Sequence, residues 1–165
     1  MTESLRLDDP AALTRHIEFR YHARHREQLP TLAALAEKVE TVHFGDDNVP
    51  EGLTDLLQRM IGALEVHMKK EELILFPKIR KGGGPGIGIP IAVMRADHDD
   101  HSRDVAEIHR LTGGLSKPDG ACRTWADLYA GLGEFLSDLA EHISSRSLRS
   151  SDRSSTTDSV VTSLR

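Results

Sequence analysis

Cysteine is almost missing from this chain: Cys122 is the only one in 165 residues. An internal disulfide and a thiolate metal site are therefore both excluded. Aromatic residues are scarce at 4 %, so any core must be mainly aliphatic. There is no excess of basic residues. The net charge of -5 argues against nucleic acid, whose binders carry a concentrated basic face, and against docking on anionic membranes. No apolar run approaches the ~20 residues that span a bilayer. The opening Met1-Thr2-Glu3-Ser4-Leu5-Arg6 lacks the basic-then-apolar layout of a secretion signal. These absences together lead to the expectation of a cytoplasmic protein. Any transition metal in it must rely on imidazole and carboxylate ligands.

What the chain does have is histidine, nine in all. Four helical segments are legible between breakers. The first spans about Pro10 to His43, with Pro30 expected to kink or split it. It ends before Gly45-Asp46-Asp47-Asn48, a loop signal. The second spans about Pro50 to Ile79, the third about Pro90 to Thr112, and the fourth about Ala121 to Ile143. Lys81-Gly82-Gly83-Gly84-Pro85-Gly86-Ile87-Gly88 reads as an irregular connection. It lacks the Lys-Ser/Thr ending of a phosphate loop. No convincing period-2 strand is present. The expectation is an all-α, up-down-up-down four-helix bundle over residues 10–143. From Ser144 the composition turns Ser/Arg-rich and loses its apolar period, so residues 144–165 are expected to be a disordered tail.

The apolar stripes of these helices contain polar residues at core positions. In the second segment the stripe is Leu53, Leu57, Met60, Leu64, His67, Glu71, Ile74. His67 and Glu71 lie four apart, hence on one face. Burying both is costly unless something satisfies them. A metal does so; a plain His–Glu hydrogen bond would do so too. The third stripe carries His98 and His101 among Ile91, Met94, Val105 and Ile108. The fourth carries His142 after Trp125, Leu128, Leu132, Phe135 and Leu139. In the first, Phe19, His22 and Leu29 share a face. Counted from the loops at ~1.5 Å per residue, the four histidines fall within one to two turns of a common level. Convergence of this kind points to a metal. Without cysteine, a set of imidazoles with a carboxylate able to bridge suits iron or manganese better than a closed zinc site, and the choice between the two stays open.

At these residues the chain resembles the hemerythrin-like di-iron domain of the iron–sulfur cluster repair family. The segments that carry the resemblance are Arg20-Tyr21-His22, Arg24-His25-Arg26-Glu27-Gln28-Leu29-Pro30, His67-Met68-Lys69-Lys70-Glu71-Glu72-Leu73-Ile74-Leu75-Phe76-Pro77, Pro90 through Asp99, and Asp138-Leu139-Ala140-Glu141-His142-Ile143. It covers about residues 12–143. It implies that His22, His67, His98 and His142 ligate iron and that Glu71 bridges two ions. It further implies iron–sulfur proteins as clients, with nitric oxide or dioxygen as small ligands. By the same resemblance, the family's N-terminal domain with its cysteine pair is expected to be lacking. Its second bridging glutamate falls at Arg146, so the second iron is expected to bind weakly or the centre to be mononuclear.

Three readings follow: a protein of iron–sulfur cluster repair, a hemerythrin-like binder or sensor of dioxygen or nitric oxide, and a truncated, metal-poor structural bundle. None is read as an enzyme with a defined turnover. His101 is expected beside the ligands rather than among them. His16, His25 and His109 are expected at the surface or its boundary, away from the metal level, and His43 at a helix end where the dipole favours a partly positive ring. Lys69, Lys70 and Glu72 read as a solvated face. Tyr21, Tyr129 and Trp125 read as core packing. Cys122, near a helix start, is expected to have a lowered pKa, and no Cys–His pairing stands out. The oligomeric state is not legible.

Overall fold

In the computed structural model, residues 9–150 are described, with side chains to residue 144. Among them there is no strand. The first bundle helix is built from α1 (Pro10–Ile17), a π-helical turn at Glu18–His22, and α2 (Ala23–Val42). The second is α3 (Leu53–Lys70), a π-helical turn at Glu71–Leu75, and α4 (Phe76–Arg80). The third is α5 (Gly88–Leu111), and the fourth is α6 (Arg123–Ser150). α2 packs on α3 and α6, and α3 packs on α5, which is the neighbour order of an up-down-up-down bundle.

Local chemistry fixes the ends. Asp9 caps α1, its carboxylate accepting from the Ala11 and Ala12 amides at 3.1 and 3.3 Å, with Pro10 in the first turn. The Glu40 carboxylate accepts from the Gly52 and Thr54 amides and from the Thr54 hydroxyl. It thereby satisfies free donors at the start of α3 from a neighbouring helix. Gly52 itself has φ +90°, a conformation open to glycine.

The aliphatic core fills one end of the bundle. Leu29, Leu32, Ala36 and Val39 meet Leu53, Leu57, Met60 and Leu64, and Trp125, Leu128, Leu132 and Phe135 close it. α2 and α6 approach closely at Gly131, where a Cβ would lie 2.7 Å from the Leu32 side chain. A smaller apolar cluster of Ile17, Tyr21, Leu75, Phe76 and Met94 caps the other end. His22, His25, His67, His98, His101 and His142 lie between the two.

Several expectations change here. α2 runs through Pro30 without interruption. Pro30 is exposed, so the carbonyl it leaves unbonded faces water, while Leu29, Leu32 and Ala33 on either side stay buried. Phe19 and Ile74 are 86 % and 50 % exposed instead of facing inward. Both lie within the π-helical turns. Each such turn inserts a residue into the helical period, so Ile17, Tyr21, Leu75 and Phe76 take the buried places instead. α6 continues seven residues beyond Ile143, to Ser150. The Arg146 side chain and residues 151–165 lie outside what is described.

Candidate metal centre

Glu71 sits at the middle of the bundle, 0 % exposed, at the first position of the second π-helical turn. Its two oxygens point opposite ways. Oε2 lies 2.8 Å from His22 Nε2 and 3.4 Å from His142 Nε2. Oε1 lies 3.0 Å from His67 Nε2. His98 completes that second side: its donor atom, with those of His67 and Glu71, falls within 4.8 Å of the others, as do those of His22, Glu71 and His142. The first helix delivers His22 as the last residue of its own π-helical turn. π-bulges concentrate at functional sites, and here both of them place a ligand candidate.

The set is electrostatically set up for a cation. Burial pushes the His22 and His98 rings down to a pKa of about 4, and burial lowers His142 well below the usual histidine value. All three are neutral at pH 7, the form that ligates metal. His22 Nδ1 lies 2.8 Å from Glu72 Oε1. With its single proton donated there, its Nε2 lone pair faces a Glu71 oxygen at 2.8 Å, a contact that either a proton or a metal ion between them satisfies. Two ligands at about 2.1 Å on perpendicular axes of an octahedral ion sit about 3.0 Å apart, so the observed 2.8 to 3.4 Å spacings fit. His98 Nε2 is buried and bonds to nothing, a cost a metal would remove.

Outer contacts aim these rings. The Glu72 carboxylate that receives His22 also accepts two bonds from Arg26, at 2.8 and 3.1 Å, and Arg26 reaches on to Glu65 at 2.8 Å. Burial opposes the Glu72 charge, yet Arg26 and His22 hold its pKa below the normal range. His67 Nδ1 meets Asp97 Oδ2 at 3.2 Å, and Lys70 pairs with the same oxygen at 3.1 Å. His142 Nδ1 faces His25 Nε2 at 3.3 Å. Tyr21 stacks on the His142 ring at 5.5 Å, and Phe76 on His22 at 5.8 Å. Asp138 receives Arg20, Arg24 and Gln28 at 3.1, 3.2 and 3.0 Å, tying the first helix to the fourth beside the candidate ligands.

Each trio is therefore two imidazoles and one carboxylate, the donor set of non-haem iron sites with open positions, and the two share Glu71. The chain belongs to the hemerythrin family. The model of the hemerythrin HHE cation binding domain matches residues 14–146, a match that covers both trios. Among curated relatives of this hemerythrin-family chain is the iron-sulfur cluster repair protein YtfE of Pectobacterium carotovorum subsp. carotovorum. It is 51 % identical over 124 residues, covering 75 % of this chain and 56 % of the relative. The YtfE of Dickeya chrysanthemi is 50 % identical over 128 residues, 78 % of this chain and 58 % of its own. That of Yersinia pseudotuberculosis is 48 % identical over 134 residues, 79 % and 61 %. The hemerythrin chain thus spans a little over half the length of the curated relatives it matches. Among its described residues no helix is long and apolar enough to cross a membrane.

The five residues singled out from the stripes all converge. Three further expectations change. His25 is fully buried, because it lies three residues after His22 and just past the π-helical turn, on the face toward α6. Glu72 is held by His22 and Arg26 rather than freely solvated. Cys122 and His43 do pair: Sγ lies 3.2 Å from Nε2, and His43 Nδ1 lies 2.8 Å from Asp46. His43 holds the Cys122 thiol below its usual pKa. That pairing joins two distant loops, so sequence spacing did not show it. His109 is exposed and Trp125 is buried, as expected.

Proposed function

We propose that His22, Glu71 and His142 hold one iron ion and His67, Glu71 and His98 a second. On this reading the centre serves the repair of iron–sulfur clusters damaged by oxidative or nitrosative stress, in the cytoplasm. The observation that carries it is the division of the Glu71 carboxylate, one oxygen toward each pair of imidazoles. The names of the relatives supply the repair context.

Bound iron would supply redox change and open positions for a small ligand. The chain's residues do the rest. Glu71 places its negative charge between the two sites. Glu72, Asp97 and His25 fix which ring nitrogen of His22, His67 and His142 faces inward, a role that carboxylates beside metal-ligating histidines commonly fill. Tyr21 and Phe76 cover the ring faces and keep water off. Two imidazoles and a shared carboxylate leave positions free on each ion, which supports binding of nitric oxide or dioxygen as part of the same reading.

The test is reactivation of an iron–sulfur protein inactivated by nitric oxide, with the iron-loaded chain and with the loaded Glu71→Gln variant. The wild type should restore cluster absorbance and the variant should not. Equal recovery with both, or none with either, overturns the repair role.

A further inference from the structure

We propose that Cys122, His43 and Asp46 form a reactive thiol site, whose sulfur exchanges with small disulfides to give a reversible mixed disulfide. The site shares no residue with the metal centre and does not rest on the iron reading. His43 ends α2, whose 20 residues set it about 30 Å from His22 along the helix. Cys122 directly precedes α6, and its carbonyl accepts from the Ala126 amide at 3.0 Å. The fold brings the two helix ends together, with Cys122 Sγ 3.2 Å from His43 Nε2. On the far side of the ring, Nδ1 lies 2.8 Å from Asp46 Oδ2. A carboxylate only accepts, so Nδ1 holds its proton there and Nε2 is left to take one from sulfur. Nucleophile, base and orienting carboxylate thus stand in line within hydrogen-bond reach, the arrangement that activates a thiol.

The surroundings favour the same charge separation. The Trp125 and Thr124 amides, in the first turn of α6, add to the pull of His43 on the thiol proton. Cys122 and Asp46 in turn hold the His43 pKa above its usual value. The buried Trp125 ring packs on His43 with centroids 4.8 Å apart and fixes the imidazole. The sulfur is half-buried, which suits a small disulfide. The Cys122 thiolate attacks one sulfur of that disulfide. A new S–S bond forms as the old one breaks, and the departing thiolate takes the electron pair and the Nε2 proton of His43. Cys122 is oxidised and the departing half is reduced. As Cys122 is the only cysteine, no second thiol of the chain resolves the product, and an external thiol reverses it.

The test follows mixed-disulfide formation by mass spectrometry, with the full chain under argon and glutathione disulfide as the probe, at pH 6. Folded wild type should react at least about fivefold faster than the chain unfolded in urea. A half-buried thiol with a purely structural role would react more slowly folded than unfolded. His43→Gln, which keeps the side chain polar and removes the base, should lose that advantage. Folded wild type reacting no faster than the unfolded chain overturns the proposal, and so does an unchanged rate in folded His43→Gln. The first comparison needs no variant, so it decides the matter if His43→Gln fails to fold.

Discussion

The two halves of the centre share one carboxylate and little else. The His22–His142 half is sealed: both rings are 1 % exposed or less, both are stacked, and both have their outer nitrogens engaged. The His67–His98 half is open. His98 is only half-buried, a cleft reaches the neighbouring His101, and Lys70 with Asp97 stands at its side. Packing explains the difference. α2 and α6 meet closely across Gly131, whereas α5 buries only Met94, His101 and Ile108. On the proposed reading, the sealed half would hold its ion by preorganisation, and the open half would exchange its ion and admit small ligands. Two sites built from the same donor types should therefore bind iron unequally.

The largest effect should come from the shared residue. Glu71→Gln should remove both ions, seen as iron per chain after desalting, while the metal-free variant melts close to the metal-free wild type. Iron at about 100 times its Kd adds about 2.7 kcal/mol to the folded state, or roughly 5 to 10 °C of Tm at this chain length. That increment should vanish in Glu71→Gln. Retention of either ion would show that the two halves do not depend on the bridge.

Next comes the contrast itself. Against an excess of ferrous chelator, wild type should release iron in two phases, and His98→Ala should abolish the fast phase only. If His98→Ala abolishes the slow phase, the sealed and open halves are reversed.

Acid gives a smaller, graded effect. His22, His98 and His101 have pKa values near 4 in the folded chain and His25 near 3, all lowered first by burial, against about 6.5 unfolded. Between these values the unfolded chain binds more protons, so the metal-free fold is most stable above pH 6.5 and loses stability as pH falls toward 4. Denaturant midpoints at pH 7.5, 5.5 and 4.5 should fall in that order. A flat profile would mean that these rings bind protons equally in the folded and unfolded chain. The smallest effect is expected at the outer contacts: Glu72→Gln should weaken iron binding about tenfold to a hundredfold, in the sealed half alone.

Much of this was legible in the sequence, for identifiable reasons. His67 and Glu71 interrupt an apolar stripe four residues apart, and His98 and His142 interrupt theirs, so helical period brought these candidates together. Phe19 and Ile74 were misplaced because the period shifts inside the π-helical turns, and no residue type marks a π-bulge. His25 was missed for the same cause. Pro30 looked like a breaker, but its place on the solvent face decided otherwise. The Cys122–His43–Asp46 chain joins residues 79 apart through tertiary packing, which stripes cannot report.

The central claim is two inequivalent iron ions bridged by Glu71. Mössbauer spectroscopy of the anaerobically loaded chain, with iron content measured on the same sample, tests it most directly. The account predicts two irons per chain in two quadrupole doublets of equal area, the one belonging to the open half disappearing first under chelator. A single doublet at one iron per chain, or no retained iron, would contradict it.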